Sequence, residues 1–188
     1  MNEGIIIDKT WTLFLDRDGV INQKIENNYV KNWSEFMFID GALEAISNLS
    51  NIFGTIIIVT NQRGVGRGIM RESDLISIHK SMTEEIVSMS GRIDEIYYCK
   101  EILDSSECRK PNIGMARQAK LDFPHIDFKK SVMVGDSLSD INFGRKLGMI
   151  TCIINKDPLF NENSLYDKKF KSLLDFSNFF NSLQSEIS

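Results

Sequence analysis

The chain contains no apolar run approaching the roughly 18 residues that a membrane-spanning helix needs. Gly4-Ile5-Ile6-Ile7, cut off by Asp8, is too short for the apolar stretch of a signal peptide. A basic block is also missing: 22 Lys and Arg against 26 Asp and Glu leave a formal charge of -4. That balance argues against nucleic acid or an anionic membrane as the main partner. It leaves open a small anionic ligand, because a metal and a few local cations bind phosphate whatever the net charge. Cysteine is scarce: Cys99, Cys108 and Cys152 are too few, and odd in number, for a disulfide framework. A cytoplasmic, thiol-reducing setting is the simplest expectation. Internal repeats, linkers and low-complexity segments are lacking too. The 188 residues, 42% hydrophobic and 26% charged, are therefore read as one globular domain and expected to be monomeric.

Short apolar runs alternate with helical patterns. Strands are expected at Thr12-Leu13-Phe14-Leu15, at residues 55–59, 93–98 and 131–134, and from Met149 to Ile154. Helices are expected from Ala42 to Leu49, Ser73 to Met89, Gly114 to Leu121 and Leu138 to Leu147, with Gly148 as a left-handed cap. A helical tail is expected over about 160–188, its apolar stripe running through Leu174, Phe176, Phe180 and Leu183. Such alternation predicts an α/β fold, a parallel sheet with helices on both faces and right-handed crossovers. Asp16, Thr60 and Asp136 each fall just past the carboxyl end of an expected strand, the edge where open α/β sheets bind ligands. Three polar residues converging there make a candidate site.

Asp16-Arg17-Asp18-Gly19 places two carboxylates two residues apart as a strand ends. A carboxylate can attack phosphorus if cations neutralise both partners, and a second can protonate the leaving oxygen and later deprotonate water. Asp136 adds an oxygen ligand, and a set of oxygens suits Mg²⁺. Lys110 offers a fixed positive charge, and Thr60 a hydrogen bond to the transferring group. Each piece alone has an ordinary reading. Asp-x-Asp is usually a turn, Gly135-Asp136-Ser137 a helix start, and Lys110-Pro111 a surface charge before a bend. Their joint occurrence, in order and after the right strands, carries the argument. Gly64-Val65-Gly66-Arg67-Gly68 lacks the lysine of a P-loop and reads as a flexible turn.

At these residues the chain resembles the haloacid dehalogenase (HAD) superfamily of phosphatases. Residues 16–22 are similar to its first motif, Val59-Thr60-Asn61-Gln62 to the second, Cys108-Arg109-Lys110-Pro111 to the third and residues 135–140 to the fourth. The likeness spans about Thr12 to Ile154. Asn28-Tyr29-Val30, Phe38-Ile39-Asp40-Gly41, Gly64 to Gly68 and Tyr97-Tyr98-Cys99 resemble the D-glycero-D-manno-heptose 1,7-bisphosphate 7-phosphatases, with histidinol-phosphate phosphatases as near cousins.

The resemblance implies a three-layer Rossmann-like fold and a hydrolase working through an aspartyl-phosphate. Asp16 would be the nucleophile and Asp18 the general acid and base, with Thr60 and Lys110 stabilising charge. Mg²⁺ would lie on Asp16, the Asp18 carbonyl and Asp136, supported by Asp140. Arg17, Asn22, Tyr29, Asn61, Gln62, Arg67, Arg109 and Ser137 would contact a small phosphate ester. About twenty residues separate Asn22 from the first expected helix, too few for a cap domain. The mouth should be capless, walled by residues 23–36 and 62–71.

These phosphatases often hold a structural zinc through Cys-x-His and Cys-x-Cys. Here Cys99-Lys100-Glu101 and Ser106-Glu107-Cys108 keep two of the four ligands, so zinc is not expected and two unliganded thiols are. His79 and His125 are far from the motifs in sequence and are read as packing or surface residues. A receiver-type signalling module also phosphorylates an aspartate on a parallel sheet, but it lacks a carboxylate two residues beyond the acceptor. Asp18 therefore favours an enzyme.

Overall fold

The structure, a computed structural model, describes residues 6–157 and 165–185, of which 183–185 are described by backbone alone. Six strands form one parallel sheet: β1 (Thr12–Leu15), β2 (Thr55–Asn61), β3 (Glu95–Cys99), β4 (Ser131–Gly135), β5 (Ile150–Ile154) and β6 (Lys168–Phe170). Their order is β3-β2-β1-β4-β5-β6. β1 pairs with β2 from Thr12↔Thr55 to Leu15↔Ile58, and with β4 from Thr12↔Ser131 to Leu15↔Val134.

A strand alternates its side chains between two faces, and here both faces are covered. Leu13, Leu15, Ile56, Ile58, Val132 and Val134 point to one core, with Phe14, Ile57, Val59 and Met133 in the other. The first core is closed by α1 (Ala42–Ile52), α3 (Glu72–Ser88) and α6 (Leu173–Ser185), and the second by α4 (Gly114–Asp122) and α5 (Leu138–Leu147). The helices present the stripes their sequences carry: Ala45, Ile46, Leu49 and Ile52 from α1, and Leu75, Ile78, Met82 and Ile86 from α3. α6 is held on α1 by aromatic contacts, among them Phe53 against Phe180 at 6.0 Å between centroids.

Gly148 ends α5 in the left-handed region, φ 73°, as expected of a C-terminal cap. Three features depart from the sequence expectation. β6 was not anticipated, because Lys168-Lys169-Phe170 carries no β-branched run. It interrupts the expected helical tail, so that α6 begins only at Leu173; residues 160–164 and 186–188 of that tail fall outside the described residues. The glycine-rich segment is a short helix, α2 (Arg63–Gly66), instead of a turn. Between β1 and α1 lie only isolated bridges and one 3₁₀ turn at Trp33–Glu35, so nothing large enough to form a cap stands over the sheet edge.

Candidate active site

From β1 the chain crosses to β2 and β3 on one side of the sheet, then returns to β4 on the other. The crevice beyond the carboxyl ends of β1 and β4 is therefore the switch point where α/β sheets bind ligands. Asp16 leaves β1 there, its N–H donating to the Val134 carbonyl at 2.9 Å. Asp136 leaves β4, and Asp140 sits one turn into α5. Carboxylate oxygens of these three aspartates lie within 4.8 Å of one another.

Lys110, from the segment between β3 and α4, reaches into this cluster. Its Nζ lies 2.8 Å from Asp16 Oδ1 and 2.6 Å from Asp140 Oδ1, and donates to the Val59 carbonyl at 2.7 Å. Asn61 fixes the lysine's backbone, Oδ1 accepting from the Lys110 N–H at 3.0 Å and Nδ2 donating to its carbonyl at 3.2 Å. Burial would discharge the ammonium, but Asp140 and Asp16 together raise its pKa above the ordinary value, and it stays charged. Asp16 is pushed up to about 7: its burial, with repulsion from Asp140, Asp136 and Asp18, outweighs Lys110. Asp140 also accepts from the Ser137 N–H at 3.0 Å and from its hydroxyl at 2.6 Å, tying the first turn of α5 to the lysine.

Asp18 has the opposite surroundings. Arg17 Nη2 donates to both its oxygens at 2.9 and 3.0 Å, Asn22 Nδ2 at 2.9 Å and Gln62 Nε2 at 2.8 Å. Burial alone would raise its pKa. The Arg17 charge and these donors win, and hold the carboxyl below its usual range. Three residues expected to contact substrate thus contact Asp18. Arg17, Asn22 and Gln62 are 1%, 0% and 1% exposed, and they hold Asp18 from beneath. A buried cation costs several kcal/mol unless paired, and Asp18 is the pair. Gln62 also donates to Thr60 Oγ1 at 2.8 Å, leaving the Thr60 hydroxyl hydrogen available to another acceptor.

A mouth of about 300 Å³ opens over Asp16, Thr60, Lys110 and Asp136. Asn61, Arg109 and Ser137 line it. Tyr29 and Arg67 stand farther out, their side chains 3.4 Å apart, with Tyr29 against α2. A Cβ on Gly64 would come within 2.8 Å of the Tyr29 ring, so the glycine-rich signal reports close packing at the rim. Arg109 donates through Nε to Asp104 at 3.0 Å, while its Nη1 is buried without a partner among the described residues. Two residues were missed by the sequence reading. Lys24, two positions beyond Asn22, carries no motif signal, yet its Nζ meets Asp136 Oδ2 at 2.8 Å. His79, expected to be remote from the motifs, lies on the buried stripe of α3, its ring 3.0 Å from Arg17 Nη1. A larger groove, about 630 Å³, lies between α3 and the edge strand β3, lined by Ile76, Val87, Ile93 and Ile96, away from the aspartate cluster.

The expectation of two unliganded thiols is also corrected. Cys99 and Cys108 are bonded to each other, the intervening loop bringing their Cα atoms to 5.4 Å, inside the range that a disulfide spans.

The aspartate cluster fits a hard cation. Its donors are all oxygen, and Asp136 Oδ1 is buried without a hydrogen-bond partner among the described residues. Burial raises the Asp136 pKa despite the ion pair with Lys24. Gly19, at φ 92°, lets the backbone pass beside this carboxylate; a Cβ there would stand 2.2 Å from Asp136 Oδ2.

Residues 12–178 match the family described as polynucleotide kinase 3 phosphatase. A D-glycero-alpha-D-manno-heptose-1,7-bisphosphate 7-phosphatase of Campylobacter jejuni is 38% identical over 172 residues, 92% of this chain and 96% of the relative. The chain belongs to the haloacid dehalogenase-type phosphatases. This phosphatase is also 37% identical, over 76% of its length and 79% of the relative's, to a D-glycero-beta-D-manno-heptose-1,7-bisphosphate 7-phosphatase of Vibrio cholerae. Its fold matches a D,D-heptose 1,7-bisphosphate phosphatase from B. bronchiseptica, complexed with magnesium and phosphate. That match has a TM-score of 0.81 and 29% identity, and covers 93% of this phosphatase and 99% of that chain. Among its described residues, no helix is long and apolar enough to cross a membrane.

Proposed function

We propose that this phosphatase removes the 7-phosphate of D-glycero-D-manno-heptose 1,7-bisphosphate through a phosphorylated Asp16. The observation that carries the reading is Asp16 itself: a carboxylate at the switch point, 2.8 Å from a buried lysine, with a second aspartate two residues on. Asp16, Asp136 and the Asp18 carbonyl would hold Mg²⁺, and Asp140 would orient Lys110. Bound there, the metal would supply positive charge to offset that of Asp16 and the phosphoryl oxygens.

In the first step an Asp16 oxygen attacks phosphorus. The bond to the sugar C7 oxygen breaks, and that oxygen takes a proton from Asp18. In the second, Asp18 accepts a proton from water as the water oxygen attacks phosphorus, and Asp16 leaves. Lys110 and the Thr60 hydroxyl meet the charge on the transferring group. The donor cage keeps Asp18 ionised at rest; a phosphate dianion arriving beside it raises its proton affinity, so Asp18 gains its proton on substrate binding. Arg109, with Nη1 free, would take the remote phosphate, and Asn61, Tyr29, Arg67 and Ser137 the sugar. The reading takes the chain as a single-domain cytoplasmic monomer; the formal charge of -4 and the lack of a basic block support the absence of nucleic-acid and membrane partners.

The test is phosphate release, with Mg²⁺, from both anomers of the heptose bisphosphate and from histidinol phosphate. A heptose anomer should exceed histidinol phosphate in kcat/KM by about 100-fold, because a second phosphate adds binding energy that histidinol phosphate lacks. A preference for histidinol phosphate would replace the sugar reading with the histidinol one.

A further inference from the structure

The neighbours of Asp18 extend one layer further than the reaction requires. The Arg17 guanidinium makes its hydrogen bonds, among the described residues, at its two ends only. Nη2 donates to Asp18, Nη1 lies 3.0 Å from His79 Nε2, and Nε is buried with no partner. A guanidinium has no acceptor, so His79 Nε2 must present its lone pair, with the ring hydrogen on Nδ1. An imidazolium would set two cations against each other, and burial together with Arg17 holds the His79 pKa down to about 3.

The ring is buried and borders the groove between α3 and β3. It sits on the buried stripe of α3 beside Ile78 and Met82. The Tyr98 ring meets it edge-on at 5.8 Å, and the Tyr98 hydroxyl donates to Glu72 of the same helix at 2.9 Å. A helix residue therefore meets one end of a planar fork whose other end donates to Asp18.

We propose that His79 is a positioning residue: by accepting from Arg17 it fixes the guanidinium plane, and through it the orientation of the Asp18 carboxyl group. The inference rests on the reading of Asp18 as general acid. Asn22 and Gln62 each touch one Asp18 oxygen, whereas Arg17 touches both, so a rotated guanidinium turns the carboxyl as a unit. Proton transfer to the leaving oxygen depends on that angle, and a misplacement near 1 Å costs about 100-fold. The ordinary alternative is a histidine that only fills the core, and it predicts a different kinetic signature.

The experiment measures kcat/KM with Mg²⁺ for the sugar bisphosphate and for para-nitrophenyl phosphate, in full-length His79→Leu, His79→Gln and Asp18→Asn. A sugar alkoxide needs a proton to leave and para-nitrophenolate does not. His79→Leu, which removes the acceptor, should lose about 30-fold on the sugar and under about threefold on the aryl ester. His79→Gln restores a carbonyl acceptor and should recover the sugar reaction to within about fivefold of the parent. If His79→Leu does not fold, His79→Asn replaces it, its carbonyl one methylene short of Arg17 Nη1, and the same selective loss is expected. Equal losses on both esters, or no rescue by glutamine, would overturn the proposal. If Asp18→Asn spares the aryl ester while the His79 variants do not, only the role of His79 fails. If Asp18→Asn loses both esters equally, the general-acid reading fails and the role of His79 falls with it.

Discussion

Replacing Lys110 by methionine, similar in length but uncharged, tests the electrostatics of the site separately from its chemistry. The ammonium is buried and has contacts at 2.8 Å to Asp16, 2.6 Å to Asp140 and 2.7 Å to the Val59 carbonyl. Removing one partner of a buried ion pair costs about 3–5 kcal/mol, because the other charge stays behind. For a chain of this size each kcal/mol moves Tm by about 2–4 °C, so the loss should be about 6–20 °C. The deficit should also depend on pH. Asp16 is already pushed up to about 7 with the lysine present, and without it moves higher. An acid whose folded pKa is raised stabilises the fold below its unfolded pKa and loses that contribution as pH rises through the folded value. At pH 5 Asp16 carries a proton in Lys110→Met, one buried charge is gone, and the deficit shrinks. At pH 9 it is full.

The assay is thermal unfolding of parent and variant at pH 5, 7 and 9, in chelator and again with Mg²⁺. The divalent ion should restore part of the pH 9 deficit by supplying the missing charge. Two results would refute the reasoning: a Tm loss below about 3 °C at pH 9 in chelator, since the buried-pair cost would then be absent, or one that is the same at every pH. Turnover should fall severely for every substrate whatever the stability outcome.

Asp16→Asn should abolish turnover while raising metal-free Tm at pH 8, since it removes one of three crowded carboxylates; activity within about tenfold of the parent would exclude the aspartyl-phosphate route. Arg109→Ala should mainly raise KM, and more for the sugar bisphosphate than for para-nitrophenyl phosphate. Equal losses on the two would place Arg109 in the charge clamp instead. His79, neutral in the fold, should make the parent lose about 1.4 kcal/mol per pH unit as pH falls from 6.5 toward 3, because the unfolded chain takes up a proton that the fold refuses. Urea titrations of His79→Gln should show a flatter acid limb, and an unchanged slope would mean that the ring is protonated in place.

The strands were legible to within one or two residues because a parallel sheet covered on both faces demands continuous apolar runs. Thr55-Ile56-Ile57-Ile58-Val59 is buried throughout. β6 was illegible for the converse reason, since an edge strand two-thirds lysine has no such run. Asp16 and Asp136 could be placed because the ends of β1 and β4 fix them directly. Arg17 could not. A cation between two aspartates reads as a ligand for anionic substrate, and only the third dimension shows it turned inward toward Asp18 and His79. The Cys99–Cys108 bond was hidden likewise, because sequence spacing does not say whether a loop brings two Cα atoms within bonding range.

Asp16 and Asp18, two residues apart, are driven in opposite directions, and each direction is the wrong one for its proposed task. The nucleophile should be ionised, yet burial and crowding by Asp140 and Asp136 push it toward protonation; the acid should hold a proton, yet Arg17, Asn22 and Gln62 strip it. A divalent cation and a phosphate dianion would each correct one of the two, from opposite sides. With a divalent cation bound, Asp16 loses its proton more readily. With a phosphate dianion in the mouth, Asp18 gains one. Each ligand also relieves the charge that the other introduces, so each should tighten the other's binding by the same factor. The three carboxylates of the cluster face two ammonium groups, Lys110 and Lys24, and Lys24 is spent on Asp136. Lys24 already lines the mouth, so its ammonium adds positive charge where the anion would bind.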